Sequence, residues 1–165
     1  MSPSISLKTH IDDVLGVIKW EELCDIVLCG HSYGGTVISG VAEQAVDQIR
    51  SLVFLDAFVP EDGQSHMALF PPEYAQLNAA DVAWANAMCG KHPLACFEQK
   101  VALSGARERV ARRTYIVATG WASPFETFAK RFAQDPAWQV KRIDCGHLIM
   151  LDRPQELAEI LLTTA

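Results

Sequence analysis

At 165 residues, 50% of them hydrophobic, the chain is long enough for one domain with a packed core. Its 14 Lys and Arg against 20 Asp and Glu give a net charge of -6, with no basic block to follow a phosphate backbone, so nucleic acid is not an expected partner. Residues 1–8 lack the apolar segment of a signal peptide and no stretch approaches the length of a membrane span, which predicts a cytoplasmic protein with no membrane partner.

Over 10–23, Ile11, Val14, Leu15, Val17, Ile18 and Leu23 recur at helical spacing while Asp12, Asp13, Lys19, Glu21 and Glu22 take other faces. This predicts an amphipathic helix leading into a strand over 25–29. That strand runs into Gly30-His31-Ser32-Tyr33-Gly34, after which 35–46 reads as helix. Further short apolar runs, rich in β-branched or aromatic residues, predict strands over 51–55, 114–118 and 138–143. Helical patterns over 124–132 and 154–162 follow the last two, each with Pro at or near its first position. Strand alternating with helix implies an α/β fold with a mostly parallel sheet of about four strands.

The interval 60–113 breaks this rhythm. Pro71, Pro72, Gly90 and Pro93 punctuate helical patterns over 79–88 and 96–103, which predicts a helical cap inserted over the carboxyl edge of the sheet. Trp84, Met88 and Phe97 are candidates to line an apolar substrate pocket there, although residues at helical spacing more often serve a plain core.

Cys24, Cys29, Cys89, Cys96 and Cys145 are odd in number and have no C-x-x-C pairing, so they are read as reduced and mostly buried thiols. Cys89 and Cys96 could approach across a turn, but a disulfide there needs an oxidising compartment. No pair of histidines has the i, i+4 or clustered spacing of a metal site, so neither a metal nor an organic cofactor is expected.

The chemistry centres on Ser32. A serine hydroxyl becomes an effective nucleophile on a tight strand-to-helix turn, where a base reaches it and a helix N-terminus favours negative charge. Flanking glycines let that turn close. In open parallel sheets the reactive groups sit just after strands, which singles out Ser32, then Asp56 at the end of 51–55, then His147 after the last strand. The order Ser, acid, His is that of a triad in which the imidazole takes the serine proton and the carboxylate holds its tautomer. His31 is expected to pack behind the turn and is counted with Trp84, Met88 and Phe97 among the substrate-binding candidates.

Three segments carry a family resemblance: residues 27–35 around the turn, 52–60 around Asp56, and 144–147 with the closing helix from Arg153-Pro154. Together the chain resembles an α/β-hydrolase, on the small-molecule esterase branch related to plant methylesterases and hydroxynitrile lyases. The resemblance implies Ser32 as nucleophile, His147 as base and the backbone N–H of Tyr33 as an oxyanion donor.

The plant branch carries its acid after the next-to-last strand, where this chain has Ala118-Thr119-Gly120-Trp121-Ala122-Ser123-Pro124 and no Asp, with Glu126 nearby. Asp56, placed as in haloalkane dehalogenases, is therefore the first choice and Glu126 the alternative acid. Lyases of the branch place a lysine after the catalytic histidine, and this chain has Leu148. The strands and oxyanion loop that the family supplies upstream are not found before 10–23, so the chain is expected to be N-terminally truncated. Its open sheet edge would invite self-association into a homo-oligomer.

The reading is a cofactor-free serine hydrolase that cleaves a small apolar carboxylic ester through an acyl-enzyme. Two alternatives stand beside it: a binding homologue with impaired turnover, and a hydroxynitrile-lyase-like enzyme. Loss of one oxyanion donor alone lowers rate by about 10²- to 10³-fold.

Overall fold

Four apolar runs pair as one parallel sheet in the computed structural model, which describes residues 5–69 and 92–164. Strands β1 (Ile26–Ser32), β2 (Ile49–Ala57), β3 (Arg112–Ala118) and β4 (Trp138–Ile143) lie side by side in chain order. Helix α1 (Leu7–Trp20) precedes β1, and α2 (Gly34–Ala45) links β1 to β2. The short helices α3 (His66–Leu69) and α4 (Ala95–Glu98) fall between β2 and β3. Helix α5 (Glu126–Phe132) links β3 to β4, and α6 (Ile149–Asp152) and α7 (Pro154–Thr164) close the chain.

Alternation along the central strands sorts side chains to two faces, because successive residues of a strand point opposite ways. Leu52, Phe54, Tyr115 and Val117 pack with Ile38 and Ala42 of α2 and with Ala129 and Phe132 of α5. Val53, Leu55, Ile116 and Ala118 pack on the other side with Ile143, Ile149 and Leu157. Helix α1 covers the outer side of α2, where Leu7, Ile11 and Ile18 meet Val37, Val41 and Ala45. The layers place the carboxyl ends of all four strands on one edge, as parallel pairing requires.

Strand β2 is buried along its length apart from Arg50, while in β1 Ile26, Val27 and Leu28 are only half-buried and Cys29 is exposed. Cys24 is exposed too, and Cys96 and Cys145 are buried, so the expectation of mostly buried thiols fails for two of the four described cysteines. The cause is position: β1 forms one side of the sheet and Cys24 lies in the turn before it.

The helical pattern over 96–103 is also corrected. The helix ends at Glu98, Lys100 bridges Ser65, and Val101 exchanges backbone bonds with Gly63 and Gln64. Val101 is buried against α1 and α2, and burying that β-branched side chain outweighs continuation of the helix. The predicted helix over 79–88, with Trp84 and Met88, lies outside the described residues, as does Cys89. Among the described residues, no helix is long and apolar enough to cross a membrane.

Candidate active site

The turn after β1 is tight for identifiable reasons. Ser32 holds φ at +54°, a left-handed conformation that is rare for a residue with a side chain, and Tyr33, directly after it, is the N-cap of α2. A Cβ on Gly30 would lie 2.5 Å from the Gly34 carbonyl oxygen, and one on Gly35 would lie 2.3 Å from that of Phe58. Both glycines are therefore required by close approach of backbone, whereas a Cβ on Gly34 meets nothing within 4 Å. The Phe58 N–H donates to the Ser32 carbonyl at 3.2 Å and ties the turn to the end of β2.

Asp56 stands near the end of β2 with φ at +41° and no exposure to solvent. Its Oδ1 accepts the Ala118 N–H at 3.0 Å, and its Oδ2 accepts Nε1–H of Trp121 at 3.3 Å and Nδ1–H of His147 at 2.7 Å. A buried carboxylate requires such donors, and three of them hold it in one orientation. Because the carboxylate accepts from Nδ1, the lone pair of a neutral His147 imidazole resides on Nε2.

Aromatic rings surround His147. Phe125 stacks at 5.3 Å with an interplanar angle of 13°, and Trp121 lies at 5.1 Å. The His31 ring is 4.4 Å away, and its Nε2 is 3.0 Å from the His147 carbonyl oxygen. A carbonyl only accepts, so His31 donates from Nε2, and burial pushes its pKa below the usual histidine value. His31 thus braces the His147 loop. That loop is held further by the Gly146 N–H, which donates to Asp152 at 2.9 Å.

Glu126 is not brought to His147. It opens α5 and pairs on the surface with Arg142 at 2.6 Å. Phe97 packs its ring against Tyr33, His66 and His92, beside the turn that carries Ser32. Trp121 and Phe125 escaped the reading of the sequence. Both follow β3 at the carboxyl edge, and position after a strand is the signal that marks them.

The sequence profile described as the alpha/beta hydrolase family matches residues 3–160. The carbendazim hydrolyzing esterase of Nocardioides sp. (strain SG-4G) is 44% identical over 190 aligned residues, covering 96% of this chain and 78% of that protein. Among solved structures, an extracellular alpha/beta-hydrolase from a Paenibacillus species, described as sharing structural and functional homology with tobacco salicylic acid binding protein 2, superposes with a TM-score of 0.81 at 21% identity, covering 99% of this chain and 81% of that one. A pyrethroid hydrolase from Sphingobium faniae JZ-2 gives a TM-score of 0.73 at 16% identity, covering 96% and 77%. Match along nearly the whole length, in sequence and in backbone, makes this chain an enzyme of hydrolase type that belongs to the alpha/beta hydrolase family.

Proposed function

We propose that Ser32, His147 and Asp56 form a triad that cleaves a small apolar carboxylic ester through an acyl-enzyme. The observation that carries this reading is the 2.7 Å bond from Nδ1 of His147 to the buried Asp56 carboxylate, which leaves Nε2 as the base. Ser32 Oγ attacks the ester carbonyl as Nε2 takes its proton. The backbone N–H of Tyr33, at the start of α2, donates to the oxyanion, and the helix N-terminus favours that charge. His147 returns the proton to the departing alcohol, then activates the water that releases the acid and regenerates Ser32.

Support for an apolar substrate comes from the half-buried Trp121, whose ring lies 5.1 Å from that of His147. Support for a small-molecule ester comes from the 44% identical esterase named for carbendazim hydrolysis. Phe97, between β2 and β3, packs on Tyr33 beside the turn that carries Ser32, which supports a cap role for the described residues around it. Leu148 places no cation beside His147, which favours hydrolysis over cyanohydrin cleavage. The four described cysteines are free, which suits a reducing cytoplasm.

The test is intact mass after exposure to a fluorophosphonate, for folded wild-type protein, heat-denatured protein, Ser32→Ala and His147→Ala. One adduct on the folded wild type alone supports the triad. Equal labelling of folded and denatured protein, or an adduct on Ser32→Ala, would remove Ser32 from the nucleophile role.

A further inference from the structure

Beside the turn that carries Ser32, on the side of Tyr33 that faces α1 and α4, three metal-ligating side chains from two parts of the chain converge. They are His10 of α1, His92, and Cys96 of α4, and their ligand atoms all lie within 4.8 Å of one another. We propose that His10, His92 and Cys96 bind one zinc-class divalent cation, which fastens the segment around α4 to α1 next to Tyr33. The cation is structural and takes no part in ester cleavage.

The donor set chooses the class of metal. Two imidazoles and a thiolate suit zinc and its borderline-soft neighbours, whereas magnesium and calcium require oxygen ligands. Zinc–nitrogen bonds of about 2.0–2.1 Å and zinc–sulfur bonds of about 2.3 Å place tetrahedral ligands about 3.3–3.7 Å apart. The three side chains therefore need to draw together by about 1 Å, which rotamer adjustment of the exposed His92 and the half-buried His10 supplies. Three protein ligands leave a fourth position for water.

The surroundings fit this role. His10 sits on a long helix, and its Nδ1 is 3.0 Å from the Tyr33 hydroxyl, an outer partner of the kind that fixes a ligand ring. The His92 ring stacks on Phe97 at 4.5 Å with an interplanar angle of 21°. Cys96 is buried and its thiol makes a long 3.7 Å contact to the Ile5 carbonyl. A thiol ligates as the thiolate, so binding of the cation releases its proton. His92 is exposed and His10 half-buried, so the site opens to solvent on one side.

Spacing among histidines alone conceals this cluster. His92 and Cys96 are four residues apart around the first turn of α4, but one is a cysteine, and the third ligand arrives from α1 through the tertiary fold.

The full-length chain, stripped with chelator and kept reduced, is titrated with Co²⁺ alone and then with Zn²⁺. One Co²⁺ per chain is expected, with a thiolate-to-cobalt band in the near ultraviolet and tetrahedral bands in the visible, all displaced by Zn²⁺. Cys96→Ser should abolish the near-ultraviolet band. Because loss of an outer partner of a metal ligand already costs 10- to 100-fold, loss of a ligand in His92→Ala should weaken binding by about 100-fold or more. His92 is exposed, so that variant keeps its fold by circular dichroism, and Cys24→Ser, which removes an exposed thiol elsewhere, should leave the bands unchanged. Absence of the near-ultraviolet band in the wild type, or its survival in Cys96→Ser, overturns the site. The optical readout is independent of turnover, so it stands or falls apart from the esterase reading.

Discussion

The carboxylate of Asp56 and the imidazole of His147, 91 residues apart in sequence, meet at 2.7 Å with the carboxylate wholly buried. Asp56 also adopts a left-handed backbone conformation, so strain and a buried acid coincide at one position, as happens where function rather than stability selects the residue. Asp56→Asn keeps the shape but reverses the donor relation with Nδ1. We expect kcat to fall by about 10⁴-fold, with the thermal midpoint close to wild type. Glu126→Gln, which breaks only a surface pair with Arg142, should leave kcat within about 2-fold. Steady-state kinetics on both variants decides which acid serves His147.

The glycines around Ser32 should respond unequally. Gly30→Ala and Gly35→Ala drive a methyl group against backbone carbonyls that cannot move aside, and each should destabilise by about 1–3 kcal/mol or more. Gly34→Ala meets open space in the first turn of α2 and should be neutral or stabilising by up to about 1 kcal/mol. Urea midpoints measure all three, and an equal loss at Gly34 would count against steric approach as the cause.

In the proposed triad, Trp121 acts on the reaction only through Asp56 and His147, as a positioning residue. Trp121→Phe keeps a ring beside the imidazole and deletes the Nε1–H donor to Oδ2. With one donor fewer, the carboxylate is held less firmly in the orientation that meets Nδ1 of His147. We expect kcat about 10-fold lower with KM unchanged, read from steady-state kinetics of the two proteins.

Acid should loosen the fold through His66, which is buried against Tyr33, Phe58 and Phe97. Burial, with His92 acting in the same direction, pushes its pKa from 6.5 down to about 4. The unfolded chain therefore binds a proton that the folded one refuses. Stability is complete above about pH 6.5 and is lost as pH falls towards 4, by on the order of 3 kcal/mol. His66→Gln should flatten that slope in urea titrations at pH 7 and pH 4.5, run with chelator present.

The element order, the tight turn at Ser32 and the family itself were legible in residues 27–35, 52–60 and 144–147, because apolar period and glycine sterics act over a few neighbours. Strand and helix bounds shifted by up to three residues, as expected where ends depend on packing. Two acids remained open on the sequence. Their separation came from the parallel register, which carries Asp56 to the loop after β4 and leaves Glu126 beside Arg142. Tertiary packing alone likewise drew Val101 out of a helix, exposed Cys29 at the side of the sheet, and gathered His10, His92 and Cys96 around Tyr33. Local sequence sets dihedral angles and burial period within a turn or a strand. Which polar groups meet across 60 to 90 residues is decided by how strands align and helices cross over them, and that information resides in no single segment.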